Sequence, residues 1–353
     1  KQSIDRGFMA GFERPAAMAN AAPMACRGCA AKLPAQPLAA ALKRVGLGGQ
    51  PEDAASLPGS EQLLQSVDGF PALVSDPWLN GRLTALHACS DLWACGARVS
   101  SAMATVTLPM VSAEEQQELL VQTLAGIRSV LDEQGAELIG GHTMESRSAP
   151  PVPASLGIQI TLTVNGNSPK SPWLKTGLRP GDALLISRPL GTGVLFAGTM
   201  TGATKATDLD AALKGMACSQ HVLLGQIEPI REGIHACTDI TGFGLLGHLG
   251  EMLQNSPGLT VELDGSAIPA YPGALDLFKR GVSSTLAPSN RTAWRWLEGP
   301  VQLKQPPSAG LLELLVDPQT CGPLLLACSS ATAAQLTQNG PWLQIGSATA
   351  AHG

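Results

Sequence analysis

"LRPGDALLISRPLGTGVLFAG", residues 178–198, reads in order as a turn, a buried strand, a glycine-rich turn and a helix. Downstream the same alternation continues through "HACTDITGFGLLGHLGEML" (235–253), "LTVELDG" (259–265) and "LLELLVDPQTCGPLLLAC" (311–328). Upstream, "LLQSVDGF" (63–70) and "SAMATVTLP" (101–109) read as strands. "AEEQQELLVQTLAGIRSVLDEQG" (113–135) is an amphipathic helix. Leu119, Leu120, Leu124, Ile127 and Val130 share one face, and Gly135 sits just past the end. "ASLGIQITLTVNG" (154–166) is a further strand, predicted to close on an Asn165–Gly166 turn. Strand–helix alternation in both halves predicts an α/β (α+β) class. The Ser/Pro/Lys segment Asn167–Pro172 breaks the pattern and predicts two domains, 25–166 and 167–353. Residues 1–24, rich in Ala, Met and Pro, read as a linker or tail from an upstream module.

The 353 residues suffice for two ordinary domains, and 44% hydrophobic against 14% charged residues is a globular composition. A net charge of −5 without a Lys/Arg cluster argues against a nucleic-acid surface. It leaves a nucleotide ligand open, because bound cations can supply positive charge locally. The longest apolar runs, Leu311–Leu315 and Leu324–Ala327, are too short to span a bilayer. Eight cysteines without a visible secretory signal predict reduced thiols and a cytoplasmic protein.

Three features carry candidate chemistry. The first is "CRGCAAK", Cys26–Lys32. Cys26 and Cys29 have the spacing of half a zinc site, but the remaining cysteines are too scattered to complete it. Cys29 with Lys32 instead combines a soft nucleophile with a cation that favours the thiolate and can meet a phosphate. The second is a set of aspartates among small or apolar neighbours: Asp53, Asp68, Asp91 and Asp239. Any one alone reads as a cap or turn residue. Four together, none with a cation nearby in sequence, point to hard oxygen ligands for Mg²⁺. The third is a set of glycine-rich turns, "IGGHT" (139–143), "PLGTG" (189–193) and "TGFGLLGH" (241–248), where backbone N–H groups can approach phosphate. No P-loop sequence is present.

Gly242, Gly244 and Gly247 also spell the dinucleotide-binding fingerprint, with Asp264 about 20 residues on. An NAD-dependent oxidoreductase is therefore an alternative. Against it, Asp239 stands three residues before the first glycine, where a bare carboxylate would repel a pyrophosphate. Metal-assisted phosphate binding fits that segment better, and Asp264 reads as the end of its strand.

"TDITGFGLLGHLGEM", "DPQTCG", "ALHACSDLWACGA", "GAELIGGHT", "GDALLISRPLGTGVL" and the amino-terminal Cys-x-x-Lys resemble the signatures of the selenophosphate synthetases (selenide, water dikinases). They stand in that family's order and cover nearly all of 25–327. The wider superfamily includes aminoimidazole ribonucleotide synthetase, thiamine-monophosphate kinase and a hydrogenase maturation protein. "CRGCAAKL", His87 and "GVSSTLAPSNR" resemble the branch fused behind a flavin-dependent pyridine-nucleotide oxidoreductase. The resemblance implies a two-domain aminoimidazole ribonucleotide synthetase-like fold whose amino-terminal sheets pair into a barrel in a homodimer. It implies that ATP, selenide and water yield selenophosphate, AMP and phosphate with Mg²⁺. Cys29 would handle selenide and Lys32 would contact the ATP phosphates. Asp53, Asp91 and Asp239 would hold Mg²⁺, with Asp91 and Asp68 beside the nucleotide. Gly141, His142 and Thr143 would also contact ATP, across a dimer interface.

The chain departs from the family pattern at Pro323, Gly69, Ser56 and Glu52, none of which is one of the implied site residues. Another ATP-dependent synthetase or kinase of the superfamily is an alternative, and so is a non-catalytic ATP-binding paralogue. The Cys29/Lys32 pair speaks against the first, and Pro323 is the only support for the second.

Overall fold

The computed structural model describes residues 26–46, 52–146, 157–254 and 256–351; the tail expected at 1–24 lies outside them. The strands are β1 (Ala55–Leu57), β2 (Ser60–Pro71), β3 (Arg98–Leu108), β4 (Glu137–Glu145), β5 (Gln159–Asn167) and β6 (Ala183–Ile186). They continue as β7 (Ile234–Asp239), β8 (Leu259–Leu263), β9 (Val301–Leu303), β10 (Leu324–Cys328) and β11 (Leu343–Ala350). The α-helices are α1 (Ala35–Arg44), α2 (Pro77–Ala94), α3 (Ala113–Glu133), α4 (Thr192–Met200), α5 (Ala206–Met216) and α6 (His221–Ile227). After them come α7 (Gly244–Gln254), α8 (Ala274–Lys279), α9 (Ala287–Asn290), α10 (Ala309–Val316) and α11 (Ser330–Asn339).

The strands form two sheets. The first runs β1-β2-β5-β3-β4, antiparallel except for the parallel β3–β4 pair. Its strands alternate, burying Ala102, Ala104, Val106, Ile160, Leu162 and Val164 on one face, as a half-covered sheet requires. Helices α2 and α3 cover that face. α2 is buried nearly all round, with Leu83, Leu86, Leu92 and Trp93 at most 2% exposed. α3 begins with a capping box: Ser112 Oγ accepts from Glu115 N–H while the Glu115 carboxylate accepts from Ser112 N–H. Of the predicted apolar face of α3, Ile127 and Val130 reach the core and Leu119, Leu120 and Leu124 pack at its margin.

The second sheet runs β7-β10-β6-β11-β8-β9. β6 and β10 are buried along their whole length. That is why "ALLI" and "LLLAC" are continuous apolar runs rather than alternating ones. The core under the first sheet is continuous with one side of the second, since Ala183, Leu185, Cys237, Leu324 and Leu326 belong to the same cluster as Leu83 and Leu92.

Two local expectations are corrected. Asn165–Gly166 is not a turn, because β5 runs through it to Asn167. Both neighbours pair with it there: Gly166 lies opposite Leu64 of β2 and Val99 of β3. "IGGHT" is not a turn after a strand either, but the middle of β4. Gly141 serves close strand packing instead, since a Cβ there would come 2.0 Å from the Ala104 carbonyl oxygen.

The second sheet also disposes of the dinucleotide reading. β7 and β8 flank the Gly242/Gly244/Gly247 segment, yet three strands separate them. A Rossmann βαβ unit needs its two parallel strands side by side. Asp264 follows β8 and accepts from Ser266 N–H (3.0 Å) and Ser266 Oγ–H (2.5 Å), a local turn.

Candidate active site

Three carboxylates from distant parts of the chain meet where the sheets join. Asp53 precedes β1, Asp91 lies in the last turn of α2, and Asp239 ends β7. Each offers an oxygen lying within 4.8 Å of those of the other two. Repulsion within this cluster shows in the protonation equilibria. Burial, then Lys175 in opposition, then Asp239, leave the Asp53 pKa raised to about 6. Burial, followed by Asp239, Asp53 and Asp68, pushes Asp91 well above the ordinary carboxylate range. Asp239 is 2% exposed, and its Oδ2 has no hydrogen-bond partner among the described residues. Three convergent oxygen donors, one with a bare buried oxygen, fit a hard divalent cation such as Mg²⁺.

Two of the acids, Asp91 and Asp53, are steered by neighbours. Ser66 Oγ donates to Asp91 Oδ2. Thr238 Oγ1 donates to Asp53 Oδ1 (3.2 Å), and Lys175 Nζ lies 2.8 Å from the same oxygen. Lys175 also reaches Glu251 Oε2 at 3.0 Å, and Glu251 meets His248 Nδ1 at 3.3 Å. The sequence shows no cation beside Asp53 because Lys175 comes from the segment between the sheets. Nothing in "WLKTGL" marks it, and only the fold brings it in.

Beside the acids sits the amino-terminal motif. Gly28 opens a single 3-10 turn, Gly28–Ala31, with φ +61°; a Cβ there would lie 2.6 Å from Thr320 Oγ1. Thr320 Oγ1 accepts the Cys29 N–H at 3.1 Å, and Lys32 N–H donates to the Cys29 carbonyl at 3.1 Å. The turn thus places Cys29 inward and Lys32 one turn later, with its Nζ 5.7 Å from the centre of the Phe243 ring. Burial acts to lower the Lys32 pKa, but Asp68, Cys29, Asp91 and Asp239 outweigh it and raise the net value. Its ammonium is therefore held in the field of Asp68, Asp91 and Asp239. Cys29, Lys32, Asp68 and Phe70 line a cavity of about 80 Å³.

Asp68, on β2, does not join the three-carboxylate group. It faces His87 of α2, with Oδ2 3.1 Å from Nε2. Burial raises the Asp68 pKa, but His87, Lys32 and the Gly69 N–H overcome it, and the carboxyl is held far below its ordinary range. His87 Nε2 also lies 3.0 Å from Cys29 Sγ. Gly141, His142 and Thr143 are exposed on β4, the edge strand, separated from β2 by β5 and β3. Pro323 sits in the loop before β10, where its carbonyl accepts the Ile240 N–H at 2.8 Å and so braces the end of β7 beside Asp239.

Comparison with known proteins agrees with this architecture. The family of AIR synthase related proteins matches in two parts: its N-terminal domain over residues 51–166 and its C-terminal domain over 179–353. Solved structures with the same fold include thiamine monophosphate kinase from Aquifex aeolicus (TM-score 0.62, 16% identity, 89% of this chain and 94% of that one). Another is the hydrogenase maturation protein HypE in complex with ATP (TM-score 0.58, 18% identity, 99% of this chain and 86% of that one). The chain is thus a two-domain protein of AIR synthase type. Sequence relatives narrow the class. The selenide, water dikinase of Bdellovibrio bacteriovorus is 31% identical over 327 residues, 88% of each chain. That of Nitratidesulfovibrio vulgaris strain DP4 is 35% identical over 279 residues, 78% of this chain and 75% of the relative. This chain belongs to the selenide, water dikinase family.

Proposed function

We propose that this protein is a selenophosphate synthetase, converting ATP, selenide and water to selenophosphate, AMP and phosphate. The observation that carries the reading is the convergence of Asp53, Asp91 and Asp239 beside Cys29 and Lys32. Membership of the selenide, water dikinases supports the substrate, and HypE, solved with ATP, supports the nucleotide.

Asp53, Asp91 and Asp239 would hold Mg²⁺. Bound there, the metal would neutralise the triphosphate and stabilise charge on the transferring phosphoryl group. The remaining roles belong to the chain. Lys32, mounted one turn from the thiol, places an ammonium at the phosphates. Cys29, buried at the cavity, presents a soft sulfur to selenide and keeps bulk water from it. Asp68 orients the nucleotide side of the site. Ser66, Thr238 and Lys175 fix the acids in place before any substrate arrives.

Gly141, His142 and Thr143 would act from a second copy of the chain. β4 lies at the edge of the first sheet, and the outer face of that sheet exposes Val67 (63%), Met103 (47%) and Ile139 (58%). Val67 stands opposite Thr163, and Thr163 opposite Met103, so they form one cross-strand row. Such an apolar row favours a homodimer joined sheet to sheet. No helix among the described residues is long and apolar enough to cross a membrane. We place the enzyme in the cytoplasm, and the resemblance to the fused branch favours an oxidoreductase module upstream.

Phosphorus NMR of the protein with ATP, Mg²⁺ and selenide tests the reading. A phosphorus–selenium species and AMP should accumulate together. ATP consumption without either product rejects it in favour of another superfamily activity. Cys29→Ser should abolish selenophosphate formation while leaving ATP binding intact, and a fully active variant removes Cys29 from the mechanism.

A further inference from the structure

We infer that His87 is a positioning residue for the Cys29 sulfur: its Nε2–H donates to Sγ and holds it as a thiolate, while the Cys321 peptide N–H locks the ring from the other side. The inference rests on the reading of Cys29 as the reactive group, but its measurement needs neither ATP nor selenide.

The hydrogen-bond partners assign the ring hydrogen. Cys321 N–H points at His87 Nδ1 at 3.3 Å, so in the neutral ring that nitrogen accepts. A neutral ring therefore carries its hydrogen on Nε2, and a charged ring carries one there as well. Among the described residues Nε2 faces Cys29 Sγ at 3.0 Å and Asp68 Oδ2 at 3.1 Å, whereas Sγ is 4.0 Å from Nδ1. A thiol hydrogen directed at Nε2 would set donor against donor. A sulfur that accepts from an N–H is served best as an anion, because charge-assisted hydrogen bonds are shorter and stronger than neutral ones. The thiol proton leaves to water through the cavity beside Lys32 and Asp68, and the sulfur keeps the electron pair. Asp68 opposes the negative sulfur and Lys32 supports it; both face the same cavity.

The backbone is arranged for this contact. Cys321 is the only non-glycine residue with positive φ (51°) among the described residues. Its carbonyl accepts from Arg188 Nη1 at 3.1 Å and its Sγ donates to the Leu83 carbonyl at 3.2 Å, which hold the strained turn in place. The result is a peptide N–H aimed at Nδ1. Phe70 packs against the ring, with centroids 5.4 Å apart, and closes the remaining side.

Two readouts test the inference. Trypsin cleaves after Arg27, so iodoacetamide modification of Cys29 is read in the peptide Gly28–Lys32, free of Cys26. The ultraviolet absorbance of the thiolate is read as the difference between wild type and Cys29→Ser. In wild type at neutral pH the difference should be present; its absence overturns the inference without recourse to any other variant. His87→Asn keeps an acceptor for the Cys321 N–H but cannot reach the sulfur. It should lose the absorbance and slow modification about tenfold or more. His87→Phe should do the same, and His87→Gln, which carries an N–H towards Sγ, should recover most of both. An Asn or Phe variant that melts like wild type yet modifies Cys29 at the wild-type rate also overturns the inference. If the NMR experiment shows no selenophosphate while the thiolate signal behaves as described, the assignment of substrate fails and the role of His87 stands.

Discussion

Asp239 illustrates how a single residue reports its purpose. A carboxylate oxygen buried without a partner is costly unless a cation meets it. Replacing Asp239 with Asn keeps the shape and removes the charge. The expected outcome is a loss of Mg²⁺ affinity of about tenfold or more, by the cost of an absent charged ligand, with little change in the melting temperature of the metal-free protein. Titration calorimetry with Mg²⁺ and nucleotide checks the first part and a thermal melt the second. Asp317 is a different case. It is fully buried away from the acidic cluster, and burial raises its pKa to about 8 against the opposing hydrogen bonds from Val194 N–H and the Gln319 amide. The folded protein thus keeps a proton that the unfolded chain releases near 3.8. A raised folded pKa gives stability that is complete below the unfolded value and lost as pH rises through the folded one. Stability should therefore fall between about pH 4 and about pH 8, by up to about 1.4 kcal/mol per unit from this group. Melting temperatures across that range should decline in wild type and decline less in Asp317→Asn.

At the scale of elements, the "DPQTCG" segment is a brace rather than a strand or helix. Gln319 Oε1 accepts from the N–H of Gly191 (2.9 Å) and of Thr192 (3.1 Å), capping α4 from a distant part of the chain. Thr320 holds Cys29, and Cys321 holds His87. One short loop therefore ties a helix terminus, the amino-terminal turn and α2 together. β4 shows the opposite economy. It is an edge strand, and its Gly141 serves close packing against β3. Gly141→Ala should drive a methyl group into the Ala104 carbonyl and separate the two strands. A destabilisation of about 1–3 kcal/mol is expected from overpacking, seen as a lower denaturation midpoint. Equal stability of the two proteins would mean that β4 is not held as described.

For the whole molecule, the two sheets share one core, and the acidic cluster forms where they meet. No single domain holds it complete: Asp53 and Asp91 come from the first and Asp239 from the second. The same geometry leaves the outer face of the first sheet bare. Val67→Asp combined with Met103→Asp would place charges in the middle of its apolar row. The double variant should sediment as a monomer and lose most activity, since β4 could no longer reach a partner's site. A dimer that persists with full activity would require another interface.

The strands β2, β3, β5, β6 and β8 and the helices α3, α4 and α7 were legible in the sequence, because hydrophobic period and turn residues act locally. So were the continuous runs of β6 and β10, the amphipathic face of α3, and the candidates Cys29, Lys32, Asp53, Asp68, Asp91 and Asp239, each an acid, thiol or cation in unusually apolar or glycine-rich surroundings. Local pattern misread Asn165–Gly166 and "IGGHT" as turns, since a glycine chosen for close strand packing looks the same in one dimension as a glycine chosen for a bend. Lys175, Glu251 and the contacts of His87 with Cys29, Asp68 and the Cys321 N–H were decided by tertiary structure alone. Their partners lie far away along the chain, and only folding brings such groups within the few ångströms over which hydrogen bonds and ion pairs act.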